Sequence, residues 1–267
     1  MMLSWLNSFK HLQIFVKNFD LHNHTTVSDG LLSPHELIAL AAKNGCDALG
    51  VTDHDTTDGL AAAQIAAAAI QLRFIPGVEI SVSWSPNIDA KSTTLHIVGL
   101  GIDAKNPVLS AGLSGIREGR TARARLIGDD FARIGMHGMF EAAYEFAENK
   151  SMIGRTHFAR ALVARGEVNE VGKAFNRYLT PGRPGFVPHF WAALDDAVSW
   201  INAAGGVAVL AHPGRYKLSK GEMTQLLGDF KDLGGRGIEV MTGRHSPPQF
   251  REYALRAKEF EIGRAHV

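Results

Sequence analysis

Three times within the first eighty-odd residues, a short apolar run ends in a cluster of imidazole or carboxylate side chains: DLHNHTTVSDG from Asp20, VTDHDTTDG from Val51 and PGVEISVSW from Pro76. Helical patterns separate the runs, so strands at 18–22, 47–52 and 73–81 alternate with helices at 34–44 and 59–70. Such alternation indicates βαβ units with parallel strands, which makes the chain an α/β protein whose opening reads as half a barrel. The helix at 34–44 carries its own punctuation: Ser33 can cap it, Pro34 suits its first position, Glu36 completes a capping box and Gly45 ends it. A further strand is expected at 94–101. Parallel barrels gather their reactive groups at the C-terminal ends of strands, where these clusters fall.

The pattern then changes. Residues 105–188 read as helices without strands, at 108–135, 140–149, 157–165 and 168–178, followed by the breaker segment TPGRPGFVP. Alternation resumes with a helix at 192–203, strands at 206–211 and 237–241, a helix at 222–233 and another from Pro247. The expected organisation is an N-terminal extension (1–17), a first barrel part (18–104), a helical insertion forming a substrate cap (105–188), a second barrel part (189–260) and a tail (261–267). A chain of 267 residues has room for this arrangement. The insertion holds 13 Lys and Arg against 8 Asp and Glu, while the whole chain is near neutral at +1. A carboxylate-bearing body under a basic insertion suits cations below and an anionic substrate between. No apolar stretch is long enough for a membrane span, and the N-terminal segment lacks a signal peptide's apolar core and cleavage site. Cys46 is the single cysteine, which excludes an intramolecular disulfide and reads as a core thiol; a cytoplasmic protein with no membrane partner is expected.

His22 and His24 alternate along a strand end and so point the same way, where two imidazoles can share one ion. Asp29 follows in the loop, His54 sits between Asp53 and Asp55, and Glu79 ends an apolar strand. Nitrogen and hard oxygen donors of this mixture suit Mn²⁺, Fe²⁺ or Zn²⁺. Packing alone gives no reason for polar residues to recur at one end of successive strands. The chain has no Gly-x-Ser-x-Gly elbow and no Walker-type loop, which disfavours a serine triad and P-loop chemistry.

In order and spacing, DLHNHTTVSDG, TDHD, GVEIS, LHIVGLGID and AVLAHPGRY resemble the motifs of the polymerase-and-histidinol-phosphatase (PHP) metallophosphoesterase family. Within it, IGRTHFARALV and the RYL…GRPGFVP…FW segment resemble the branch of 3′,5′-nucleoside bisphosphate phosphatases and 5′-to-3′ exoribonucleases. The resemblance implies an irregular seven-stranded β/α barrel around up to three divalent metals, with Mn²⁺ favoured. It implies a first metal on His22, His24 and Glu79, a second on Glu79, His96 and His212, and a third on Asp29 and His54. Catalytic roles fall to Glu79 and His212 beside a hydroxide made available by the ions, which lower the pKa of bound water. Asp53 and Asp55 are expected to support ligands or cap a helix. Substrate contacts are expected from Arg155, Thr156 and His157 at a helix start, from Arg177 and Arg183 near the return to the barrel, and from Arg215 after His212. His11, His35, His137 and His245 are read as surface residues.

One family motif is missing: no Asp-x-His follows Met241. The chain is expected to stop within a barrel helix, with the closing strands absent and with IGRAHV as a non-native tail that reads like translated adapter sequence. The expected activity is metal-dependent hydrolysis of nucleotide phosphate esters, with a bisphosphonucleotide or short 5′-phosphorylated RNA as partner. The alternatives are a histidinol-phosphate phosphatase and a non-catalytic module that associates with nucleic acid.

Overall fold

The computed structural model describes residues 17–243 and 245–266, His266 by its backbone; His11 lies outside that range. Eight strands form one curled sheet in the order β1 (Phe19–Asp20), β2 (Ala48–Val51), β3 (Arg73–Trp84), β4 (Thr93–Leu100), β6 (Val207–Leu210), β7 (Gly237–Met241) and β8 (Gly263–His266), with β5 (Ala192–Ala193) paired to β3. Only β4 runs against its neighbours, β3 and β6. Between the strands run α1 (Pro34–Lys43), α2 (Leu60–Ala69), α7 (Leu194–Ala203), α8 (Lys220–Asp232) and α9 (Pro247–Glu259). The capping box expected at Ser33 and Glu36 is present, and Gly45 follows α1 with a φ of 71°.

β3 is longer than its sequence suggests, because it changes partner midway. Arg73 to Pro76 pair in parallel with β2, and Gly77 to Trp84 pair antiparallel with β4. The change places Glu79 just past the end of β2, against His54, so residues from consecutive strands meet at one rim.

The insertion comprises α3 (Pro107–Arg133), α4 (Met139–Glu145), α5 (Arg155–Ala164), α6 (Val171–Ala174) and a π-helical turn at Phe175–Leu179. The last two replace the single helix expected at 168–178. Its core is separate from that of the body and centres on Phe131, Met139, Phe158, Leu162 and Leu179. The two cores divide within α3 and not at its start: Leu109, Leu113 and Ile116 pack into the body, whereas Ala124, Ile127 and Phe131 pack into the cap. Each such fully buried Leu, Ile or Phe contributes about 1.5–3 kcal/mol, so α3 ties the two layers firmly. Gly112 allows the crossing with α7, since a Cβ there would lie 2.4 Å from the Trp200 ring.

The chain does not stop within a helix as expected. α9 ends at Glu259, Glu261 takes a φ of 53°, and Ile262 N–H bonds back to the Ala257 carbonyl. That reversal feeds β8 into parallel pairing with β7. Among the described residues, no helix is long and apolar enough to cross a membrane.

Candidate metal centre and anion pocket

All the ligand-type residues named from sequence on the strand rim meet at one carboxylate. Glu79 is 1% exposed. Its Oε2 lies 3.2 Å from His22 Nε2, 3.1 Å from His24 Nε2 and 3.1 Å from His54 Nδ1; its Oε1 lies 2.9 Å from His96 Nδ1 and 2.8 Å from His212 Nε2. A carboxylate offers about four lone-pair directions, so five imidazoles cannot all be satisfied by it. Ring nitrogens also crowd one another, at 3.1 Å between His22 and His24 and 3.3 Å between His96 and His212. Buried Nδ1 atoms of His54 and His212 have no aligned hydrogen-bond partner. Nitrogen lone pairs and an anionic oxygen converging without enough protons between them are the donor set of a divalent cation site. The donor atoms fall into overlapping triads: His22, His24 and Glu79; His24, Asp29 and His54; and His54, Glu79 and His96.

Protonation follows the same geometry. Burial opposes ionisation of Glu79, but His22, His96 and His54 and the bond from His212 outweigh it and hold the carboxyl well below its ordinary range. Burial pushes His54 down to about 3. His22 is raised despite burial, because Glu79 and Glu239 flank it.

Glu239 escaped the sequence reading. It sits in the middle of β7, 1% exposed, with Oε1 2.6 Å from His22 Nδ1 and Oε2 accepting the His212 N–H at 2.6 Å. It thereby sets the His22 tautomer so that Nε2 faces the cluster, the usual task of a carboxylate behind a ligating imidazole. It also holds His212 at a φ of 29°, a conformation few L residues adopt unaided. The available signal was a lone charge inside the apolar run GIEVM. His245, read as a surface residue, is 8% exposed: its Nδ1–H donates to the Val240 carbonyl at 2.9 Å and its Nε2 accepts the Gly214 N–H at 3.0 Å. It fixes the loop that follows His212. His35 and His137 are exposed, as expected.

Asp53 and Asp55 support loops; the residue at the start of α2 is Gly59, so neither caps that helix. Asp53 accepts from Thr25 N–H, Thr25 Oγ1 and Ser28 Oγ, at 2.7, 2.7 and 2.6 Å, and so holds the loop that bears Asp29. Asp55 binds Ser81 N–H and Oγ and is paired with Arg120 from the cap. Cys46 is only partly buried.

Above the cluster lies a cavity of ≈ 290 Å³ roofed by the insertion. Arg155 and Arg215 line it, together with Arg120 and Arg123, which nothing in the sequence sets apart from solvated helix charges. Arg123 is 8% exposed, donates to the Val187 carbonyl at 2.9 Å and stacks on Trp191. Burial, then Arg155 and Arg120, lower it to about 9. Arg155 donates to the Leu179 carbonyl and is likewise lowered by burial and by Arg120 and Arg215. Neither is paired with a carboxylate among the described residues. Guanidinium groups gathered without counter-charge in a partly desolvated cavity present an anion site.

Of the other residues assigned to substrate, His157 lines the cavity with its ring already engaged, and Arg177 and Arg183 stand elsewhere. His157 is 1% exposed and uses both ring nitrogens internally: Nδ1 accepts the Gly154 N–H at 3.0 Å and Nε2–H donates to the Ser28 carbonyl at 3.1 Å. It is a latch between cap and body. Arg177 is exposed, donates to the Glu167 carbonyl and does not reach the cavity; Arg183 lies exposed in the return loop. Arg177 belongs to the π-helical turn and Arg183 to the loop after it. Thr156 lines the cavity, but its hydroxyl is taken by Asp29.

A strand-rim cluster of His and Glu beneath a basic helical cap defines an α/β metal-site protein. Residues 20–179 match the PHP domain, and the chain belongs to the PHP domain family. It is 50% identical over 240 residues to the 3′,5′-nucleoside bisphosphate phosphatase of Chromobacterium violaceum, covering 90% of this chain and 82% of that protein. It is 39% identical over 246 residues to the 5′-3′ exoribonuclease of Haemophilus influenzae, covering 92% of this chain and 87% of that one. The structure of a Chromobacterium violaceum amidohydrolase, with sulfate and no metal bound, superposes with a TM-score of 0.89 at 48% identity, covering 93% of this chain and 86% of that one.

Proposed function

We propose that this protein is a metal-dependent hydrolase of nucleotide phosphate esters, which removes the 3′-phosphate from 3′,5′-bisphosphonucleotides and acts second on short 5′-phosphorylated RNA. The observation that carries the reading is the presence in one cavity of a converging His and Glu cluster and of Arg123 and Arg155, which pair with no carboxylate among the described residues. In this reading one phosphate sits at the cluster and a second at Arg123 and Arg155, in keeping with the two phosphates in the name of the phosphatase relative. A substrate with a single phosphate, such as histidinol phosphate, leaves those arginines without a ligand.

His22, His24, Glu79, His96 and His212, with Asp29 and His54, are the residues that would hold the ions, with Mn²⁺ favoured. Bound there, divalent ions supply Lewis acidity and a nucleophilic water at neutral pH. Glu79 and His212 act by holding that charge against the scissile ester, and no Ser or Cys nucleophile is needed. Arg123 and Arg155 fix the remote phosphate, so binding energy away from the reacting bond orients it. Arg120, anchored on Asp55, keeps the cap seated over the cavity and limits access of bulk water.

The test is hydrolysis of a 3′,5′-bisphosphonucleotide, a short 5′-phosphorylated RNA and histidinol phosphate, each with and without Mn²⁺. The expected order in kcat/KM is the order given, with activity lost on chelation. Metal-independent turnover, or a preference for histidinol phosphate, overturns the proposal.

A further inference from the structure

One loop of the body, at residues 28–30, receives three side chains of the cap. Three residues of α5, spread over little more than one helical turn, bind the carbonyls of Ser28, Asp29 and Gly30 or the Asp29 carboxylate. His157 Nε2–H donates to the Ser28 carbonyl at 3.1 Å, and Arg160 Nη2 donates to the Asp29 and Gly30 carbonyls at 2.6 and 3.4 Å. Thr156 Oγ1 donates to Asp29 Oδ2 at 3.1 Å. From the body side, Asp53 holds the same loop through Thr25 and Ser28. The other carboxylate oxygen of Asp29, Oδ1, is left facing His24 Nδ1 at 3.6 Å, on the side of His54.

We infer that Thr156 is a positioning residue for an ion and not a contact for substrate: the cap, through α5, sets the carboxylate that completes the His24, Asp29 and His54 triad. The inference rests on the reading of Asp29 as an ion ligand. A carboxylate in a surface loop samples several rotamers, and one hydroxyl bond on Oδ2 selects the rotamer that presents Oδ1 to the imidazoles. Groups that orient a ligand in this way are typically worth about 10–100-fold in metal affinity. The backbone bonds from His157 and Arg160 serve the same end by fixing the carbonyls on which the loop turns. The ion bound at this triad therefore depends on the seating of the cap, whereas the triad of His22, His24 and Glu79 takes no hydrogen bond from α5 among the described residues.

Equilibrium dialysis of the full chain against Mn²⁺, with bound metal counted by mass spectrometry, tests this in wild type, Asp29→Asn, Thr156→Val and Thr156→Ser. Asp29→Asn is expected to lose one ion. Thr156→Val, which keeps the shape and removes the hydroxyl, is expected to weaken one ion by about tenfold or more, and Thr156→Ser to retain it. Should Thr156→Val fold poorly in thermal unfolding, Thr156→Ser against Thr156→Ala carries the same comparison. Wild-type Mn²⁺ binding in Thr156→Val, or equal losses in the Val and Ser variants, overturns the positioning role. Wild-type binding in Asp29→Asn removes Asp29 as a ligand and the inference with it.

Discussion

Glu239→Gln should weaken the cluster without disturbing the fold. The carboxylate serves two donors at once, His22 Nδ1–H on Oε1 and the His212 N–H on Oε2, each at 2.6 Å and both buried. A glutamine has one acceptor oxygen and one amide, so whichever way it turns, its NH₂ faces a donor. Leaving a buried donor unsatisfied costs about 1–3 kcal/mol. If the amide turns to His22, the ring either loses its bond or adopts the other tautomer, which removes the Nε2 lone pair from the cluster. If it turns to His212, that residue loses the N–H bond that supports its φ of 29°. In both cases the penalty falls on the residues aimed at Glu79, and about 1.4–3 kcal/mol corresponds to roughly ten- to a hundredfold in Mn²⁺ affinity, in the range for a carboxylate behind a ligating imidazole. Titration calorimetry with Mn²⁺ and kcat on a bisphosphonucleotide, beside a urea denaturation curve, separates site from fold. Unchanged metal affinity and turnover in a folded Glu239→Gln protein would refute the argument that this residue sets both histidines.

Arg155→Ala should lower kcat/KM for a bisphosphonucleotide by about a hundredfold, the scale of a lost charge-assisted bond, with far less effect on a small aryl phosphate; equal losses on both would remove the remote-phosphate role. Gly214→Ala places a Cβ 2.6 Å from Gln249 Nε2 and 2.7 Å from His245 Cδ2, so the loop bearing His212 must shift and kcat should fall by about tenfold or more; unchanged steady-state kinetics would contradict this. The pH dependence of stability follows from His157, which burial lowers to about 4 from an ordinary 6.5. The fold favours the neutral ring, so its contribution is complete above pH 6.5 and is lost as pH falls through 4. About 2 kcal/mol of the wild-type advantage over His157→Gln should therefore disappear between pH 7 and pH 5, as read by urea unfolding at each pH; a constant difference would show that the ring is not held neutral.

Much of the architecture is written locally. The strands and helices of the body follow from apolar runs, capping boxes and turn glycines, each of which acts within a few residues, as at Ser33, Glu36 and Gly45. The ligand-type side chains were legible for a related reason: polar groups repeated at one end of buried strands, His22, His24, His54 and Glu79 among them, have no rationale in packing. The run of helices between β4 and β5 and its positive charge were equally visible in the sequence.

What the tertiary structure alone decided is which polar groups face one another across long separations in the chain. Glu239 lies 217 residues from His22, and a single charge in an apolar strand does not name its partner. Arg120 and Arg123 sit on a long helix where charges on a solvated face and charges over a cavity have the same spacing; only the seating of α3, with Gly112 against Trp200, turns these two inward. His157 and Thr156 share a helix start with Arg155, yet the docking of α5 on the loop at 28–30 makes one a latch and leaves the other on Asp29. Local sequence determines backbone conformation because its causes are short-ranged, whereas the role of a polar side chain depends on the partner that long-range packing delivers to it.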